Sequence, residues 1–101
     1  MRLTWSRSAV EASSEILRRI IDDGRPLAGL EWLDGLESRV DKLRDAPFQG
    51  RVVPEWSEPI VRELIYSSYR VVYSVADEEV VILTVFHSRR TLPESRPEDS
   101  A

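Results

Sequence analysis

The sequence predicts an α+β fold in the order β-α-α-β-β-β, with a helical hairpin packed on one face of a mainly antiparallel sheet. Three observations predict it. Between Val10 and Leu43 apolar residues recur at spacings of three and four, the period of a helix face. Between Ile60 and Phe86 the texture changes to runs of Val, Ile and Tyr, residues that suit a pleated surface. Asp45-Ala46-Pro47 separates the two halves, and there is no internal repeat and no second domain. At 101 residues the chain fits one domain.

Arg2–Trp5 alternates Leu3 and Trp5 with polar neighbours and reads as an edge-type strand. Ser8-Ala9-Val10-Glu11 matches the S-x-x-E capping box, which starts a helix there. Val10, Ile16, Leu17, Ile20 and Ile21 carry its apolar stripe to about Asp22. Asp23-Gly24-Arg25-Pro26 breaks the chain, and a second helix runs from about Leu27 to Arg44 on Leu30, Leu33, Leu36, Val40 and Leu43. Gly29 and Gly35 each cost that helix about 1 kcal/mol relative to alanine. Packing must outweigh the cost, and Gly35 is the expected point of close helix–helix approach. Gln49-Gly50-Arg51 and Pro54-Glu55 mark loop or irregular strand.

Ile60–Tyr66 and Tyr69–Ala76 then form a hairpin closed at Ser67-Ser68. Asp77-Glu78-Glu79 is an acidic turn into Val80–Phe86, which is apolar on both faces apart from Thr84 and should be covered on both sides. Residues 94–101 hold no apolar anchor, so the domain is expected to span 1–93 with a disordered tail beyond. Simple alternation places Val61, Ile65, Val72, Val81, Leu83 and Val85 on the sheet face away from the helices. That face is too apolar for water, so a partner helix or strand is expected to cover it.

Composition excludes several functions. There is no cysteine, hence no disulfide and no thiolate zinc site. His87 is the single histidine, which argues against a transition-metal site, and no cofactor is expected. The apolar run Val80–Phe86 falls far short of the roughly 20 residues that span a bilayer. The first residues carry no apolar secretory segment, so a cytoplasmic protein with no membrane partner is expected. The net charge is −4, which weighs against general binding to nucleic-acid phosphates without excluding a local basic site. Every basic residue except Lys42 is arginine.

An ordered cassette occupies the second half. Gly50-Arg51-Val52-Val53-Pro54-Glu55 is followed by Arg62-Glu63-Leu64, then Tyr69-Arg70-Val71-Val72-Tyr73, then Ile82-Leu83-Thr84-Val85-Phe86-His87, then Arg90-Thr91-Leu92-Pro93. Together with the upstream helices, this resembles the RelE/ParE toxin superfamily over roughly Leu3 to Pro93. The resemblance implies the toxin component of a type II toxin–antitoxin system, held inactive in a hetero-oligomer by a cognate antitoxin. It implies one of two activities. ParE-like members inhibit DNA gyrase by protein–protein contact, and RelE-like members are ribosome-dependent mRNA endoribonucleases. A third outcome is a non-toxic member that retains only antitoxin binding. The G-R-x-V-P-E piece resembles ParE-like sequences more closely. The acidic net charge, the lack of a lysine-bearing strand and Ser88 in place of an aromatic after His87 point the same way. The ParE-like branch is therefore preferred, and with it a gyrase poison over an enzyme, so no residue is preferred as catalytic.

Cutting RNA by 2′-hydroxyl attack would need a base, an acid and positive charge on the phosphate. Glu55 or Glu63, His87, and the arginines Arg62, Arg70 and Arg90 would supply them. A protein–protein surface would draw instead on Arg51, Glu55, Trp56, Arg62, Arg70 and Arg90 with the apolar Val81, Leu83 and Val85. Plainer readings stand beside both. His87 could cap the strand end through a hydrogen bond. Arg62 and Arg70 lie nearly opposite across the hairpin, with guanidinium groups on one face. Alternation turns Glu63 away from Arg62, so Glu55 or Glu58 is the expected partner in a surface ion-pair network. Arg51 and Glu55 would pair around Pro54, and Trp56 would pack over the helical hairpin or stay partly exposed for a partner.

Overall fold

The computed structural model describes residues 1–89. Its elements are β1 (Arg2–Trp5), α1 (Arg7–Asp22), α2 (Pro26–Asp41), a 3-10 turn (Lys42–Arg44), β2 (Arg51–Val52), β3 (Val61–Tyr66), β4 (Tyr69–Ala76) and β5 (Glu79–His87). Arg90 and the tail 94–101 lie outside the described residues. The strands make one sheet in the order β1-β5-β4-β3-β2. β1 runs parallel to β5, and the remaining pairs are antiparallel. The short β2 falls where the sequence predicts loop or irregular strand.

Two hairpins set the register. Tyr66 pairs Tyr69, so Ser67-Ser68 is a two-residue connection. Ala76 pairs Glu79 across Asp77-Glu78, whose φ angles of 52° and 60° are those of a type I′ turn. That turn follows the right-handed twist of the flanking strands, which offsets the cost of left-handed backbone at two non-glycine residues.

The helices cover one face. Leu36, Val40 and Leu43 pack there over Leu64, Val71, Tyr73, Val80 and Ile82, and Ala9 adds the contribution of α1. The opposite face carries a second, smaller core of Val53, Val61, Val72, Leu83 and Phe86, with Trp56 and Val81 against it. The expectation of an uncovered apolar face is thereby corrected. The segment between β2 and β3 folds back over it and supplies Val53 and Trp56. Ile65 is the exception, at 50% exposure.

Val85 also departs from its expected face and joins the helix-side core. The cause is a β-bulge. Val72 pairs Thr84 and Tyr73 pairs Ile82, so Leu83 is the extra residue in β5 and alternation shifts phase there. Val81 and Leu83 stay on the far face, and Val85 crosses to the helix side.

Ser6, not Ser8, caps α1: its hydroxyl accepts from the Ala9 N–H at 3.1 Å. The same hydroxyl donates to the Leu83 carbonyl at 3.0 Å, and the Ser6 N–H donates to the Ile82 carbonyl. The helix start is thus tied to the bulge. Val10 and Leu30, assigned to the core stripes, are exposed, because the inward faces are centred on Ala9 and Ser13 in α1 and on Gly29, Trp32, Leu36 and Val40 in α2. Gly29 makes the helix–helix approach, where a Cβ would stand 3.1 Å from Leu17 Cδ1. Gly35 instead faces β3, where a Cβ would overlap the Tyr66 hydroxyl. That hydroxyl donates to the Trp32 carbonyl at 3.0 Å. No helix among the described residues is long and apolar enough to cross a membrane.

Candidate functional site

The strand register decides which charged residues meet. Arg62 pairs Tyr73, whereas Arg70 pairs Ile65. Tyr73 belongs to the helix-side core, and Arg70 stacks on Phe86 of the far-side core. The two arginines therefore sit on opposite faces, which corrects the expectation that they share one. The closing pair Tyr66–Tyr69 places position 62 across from 73, three residues beyond Arg70.

Arg70 is the centre of a cluster on the far face. Its Nη1 and Nη2 donate to the two oxygens of Glu55 at 2.9 and 3.0 Å, a bidentate pair. Its Nε donates to Glu63 Oε1 at 2.6 Å. Arg51 Nε donates to the other oxygen, Glu63 Oε2, at 2.5 Å. The Arg51–Glu55 pair expected around Pro54 is replaced by Arg51–Glu63. The Glu63 side chain is 0% exposed and that of Arg70 9%, while Glu55 and Arg51 reach solvent at 37% and 62%. Two arginines and two glutamates leave the cluster formally neutral. The Arg70 guanidinium also lies 5.1 Å from the Phe86 ring centre, a cation–π contact.

Sequence reasoning sets Glu55 against an arginine but misses Glu63 as the buried hub. A signal is present. With the hairpin closed at Tyr66–Tyr69, Glu63 pairs Val72 and Arg70 pairs Ile65. They are then diagonal neighbours on one face, within reach of long side chains.

These contacts act on protonation. Hydrogen bonding from Arg70 is the main cause that holds the Glu55 carboxyl below its usual 4.5, with the nearby charges of Arg70 and Arg51 adding to it against desolvation. The hydrogen bond that Arg70 donates to Glu55 likewise raises Arg70 above its already high ordinary value, with contributions from Glu63 adding to it against burial. Burial raises the Tyr73 phenol, whose oxygen accepts from the Gly50 N–H at 2.9 Å.

The other candidates lie elsewhere. Arg62 donates from Nε to the Pro59 carbonyl at 2.9 Å and from Nη1 to the Gly50 carbonyl at 3.2 Å, with its guanidinium 5.0 Å from the Phe48 ring centre. It fastens the ends of the β2–β3 region. His87 pairs Tyr69 on the helix side, with the rings edge to face at 5.5 Å. Its Nδ1 accepts from the Arg89 N–H at 3.2 Å, a bond of the strand-capping kind. It lines a cleft of about 270 Å³ with Glu15, Arg19 and Tyr69. Trp56 is half-buried on the far-side core and not over the helical hairpin, which corrects that expectation, because its segment folds across the sheet face opposite the helices. The geometry brings Arg51, Glu55, Glu63 and Arg70 together with Phe86, and it does not bring His87 or Arg62 to them.

Chemically, Arg70 has its three nitrogens engaged by carboxylates. A carboxylate held ionised by an arginine is a poor proton acceptor. The cluster is suited to fixing a surface. Among the described residues, no group of three or more His, Asp or Glu is placed to hold a metal ion.

No curated protein matches the chain. A solved structure described as the chromosomal ParDE toxin–antitoxin system from P. aeruginosa superposes with a TM-score of 0.74 at 24% identity, covering 86% of this chain and 95% of that one. The solution structure of a conserved hypothetical protein from Helicobacter pylori superposes with a TM-score of 0.52 at 22% identity, covering 86% and 93%. At these identities the two structures establish the shared fold. The family described as the ParE toxin of the type II toxin–antitoxin system parDE matches residues 3–92. That match runs through both helices and the strands that carry the Arg70 cluster, and on it the chain belongs to the ParE toxin family of type II toxin–antitoxin systems.

Proposed function

We propose that this protein inhibits DNA gyrase by protein–protein contact and is neutralised by a cognate antitoxin in a hetero-oligomer. Membership of the ParE family over residues 3–92 is the observation that carries this reading. The state of the candidate catalytic groups supports it. Arg70 is neutralised by two carboxylates, and His87 stands on the other face of the sheet. General acid–base cleavage needs its acid and base within reach of one phosphate. In this reading the contact surface draws on the exposed Arg51 and Glu55, with Trp56 beside them, rather than on a catalytic residue.

The decisive experiment uses purified gyrase, ATP, plasmid and the full chain. The proposal expects loss of supercoiling, accumulation of cleaved plasmid, and relief of both by the antitoxin. Normal supercoiling at saturating protein overturns it. Ribosome-dependent cleavage of messenger RNA by the same preparation would instead establish the RelE-like alternative.

A further inference from the structure

The segment Val53–Ile60 lies across the far face of the sheet like a strap. Val53 is buried in the small core and Trp56 is half-buried on it, while Pro54, Glu55, Ser57, Glu58, Pro59 and Ile60 are exposed. Beneath it, Val61 and Val72 are fully buried and Leu83 is 1% exposed. A segment that is mostly solvent-exposed and contributes few buried side chains belongs to the low-stability end of a structure. Its internal hydrogen bonds close a local turn: the Trp56 and Ser57 N–H groups both donate to the Val53 carbonyl. Ser57 sits there at φ 53°, a left-handed conformation that disfavours a residue with a Cβ. At its two ends the strap is tied to β3, through Val53 N–H to the Val61 carbonyl and Val61 N–H to the Glu58 carbonyl, and at Ile60 also to β4, whose Val75 N–H donates to the Ile60 carbonyl at 2.9 Å.

Its centre is tied to β4 through Glu55 and Arg70. The two carboxylates on Arg70 are not equivalent. Glu63 is part of β3 and is fully buried, so it holds Arg70 from the sheet itself. Glu55 belongs to the strap. Arg70 is thus held from the sheet by Glu63, and the strap attaches to it by the bidentate contact of Glu55. The helix-side core shares no residue with this arrangement.

We propose that Val53–Ile60 opens as a local unit, latched by Glu55 on Arg70, and that opening bares the far sheet face while the helix-side core stays closed. The chain contains no cysteine, so a single introduced thiol reports access without background. Val72 and Val71 are adjacent on β4 and both fully buried, one under the strap and one under the helices. The test compares labelling of Val72→Cys and Val71→Cys by a water-soluble thiol reagent in the full chain, across low urea concentrations. Leu83→Cys replaces Val72→Cys if the latter does not fold. The expected result is labelling of Val72→Cys at least about tenfold faster than Val71→Cys, with a shallow urea dependence, since little surface is exposed by local opening. Adding Glu55→Gln should speed Val72→Cys labelling by about a further tenfold with the slope still shallow. Equal rates and equal urea slopes for the two thiols would mean that the far face opens only by global unfolding, and the proposal falls. Fast Val72→Cys labelling that Glu55→Gln leaves unchanged overturns the latch.

Discussion

At the scale of single residues, Glu63 holds two arginines with one buried carboxylate, and the two partners differ in what they need. Arg51 is solvated and loses little without it. Arg70 is nearly buried and would be left with the partly exposed Glu55 as its counter-charge. Removing one member of a buried pair typically costs about 3–5 kcal/mol, because the other charge remains desolvated. Glu63→Ala is therefore expected to lower the urea-unfolding free energy by about that amount, and pairing Glu63→Leu with Arg70→Met should recover much of it. A loss below about 1 kcal/mol in the single variant, the range of surface ion pairs, would contradict this reading of burial. Glu55 predicts a pH effect with a definite sign. Its folded carboxyl is held below 4.5, chiefly by the Arg70 hydrogen bond, so its contribution is full above that value. It fades as pH falls through the lower folded value. The gap in urea midpoint between the protein and Glu55→Gln should be constant near neutrality and shrink below pH 4.5. A gap unchanged well into acid would exclude the assignment.

At the scale of elements, the junction between α1 and β5 shows how one side chain serves two structures. Ser6 satisfies a first-turn amide of α1 and also the Leu83 carbonyl at the bulge. Ser6→Ala should cost about 1–2 kcal/mol, the upper part of the range for a lost cap. Ser8→Ala should be close to neutral in thermal melts, because Ser8 is exposed inside the first turn. The reverse order would restore the Ser8 capping box. The α2–β3 contact offers a paired test. Gly35→Ala would gain helix propensity of about 1 kcal/mol but drives a methyl into the Tyr66 hydroxyl. Tyr66→Phe alone loses a hydrogen bond to the Trp32 carbonyl, worth about 1 kcal/mol. The double variant removes the clashing oxygen, so its cost should be smaller than the sum of the single costs, measured as a double-mutant cycle. An additive result would place Tyr66 elsewhere.

At the scale of the whole molecule, the sheet separates the charged candidates. His87 and its cleft lie on the helix side, and Arg70 with its carboxylates lies on the far side. If toxicity arises from contact with gyrase, His87→Ala should inhibit growth as strongly as the unaltered protein, at equal expression and with antitoxin binding intact. Loss of growth inhibition in a folded His87→Ala variant would favour the nuclease alternative. The sequence by itself determined the two helices, the three long strands and their order, because hydrophobic period and turn chemistry are local properties of the chain. It also carried the family resemblance, which depends on the order of short motifs. The tertiary structure decided which residues meet. A bulge at Leu83 moved Val85 across the sheet, the hairpin register set Arg62 and Arg70 on opposite faces, and a loop with little periodicity closed the face for which a partner was expected. The Arg62–Arg70 placement already follows from a hairpin closed by two residues at Ser67-Ser68, whereas the bulge and the covering loop are settled only by packing between segments, where a shift of one residue reverses the direction of a side chain and no local pattern records it.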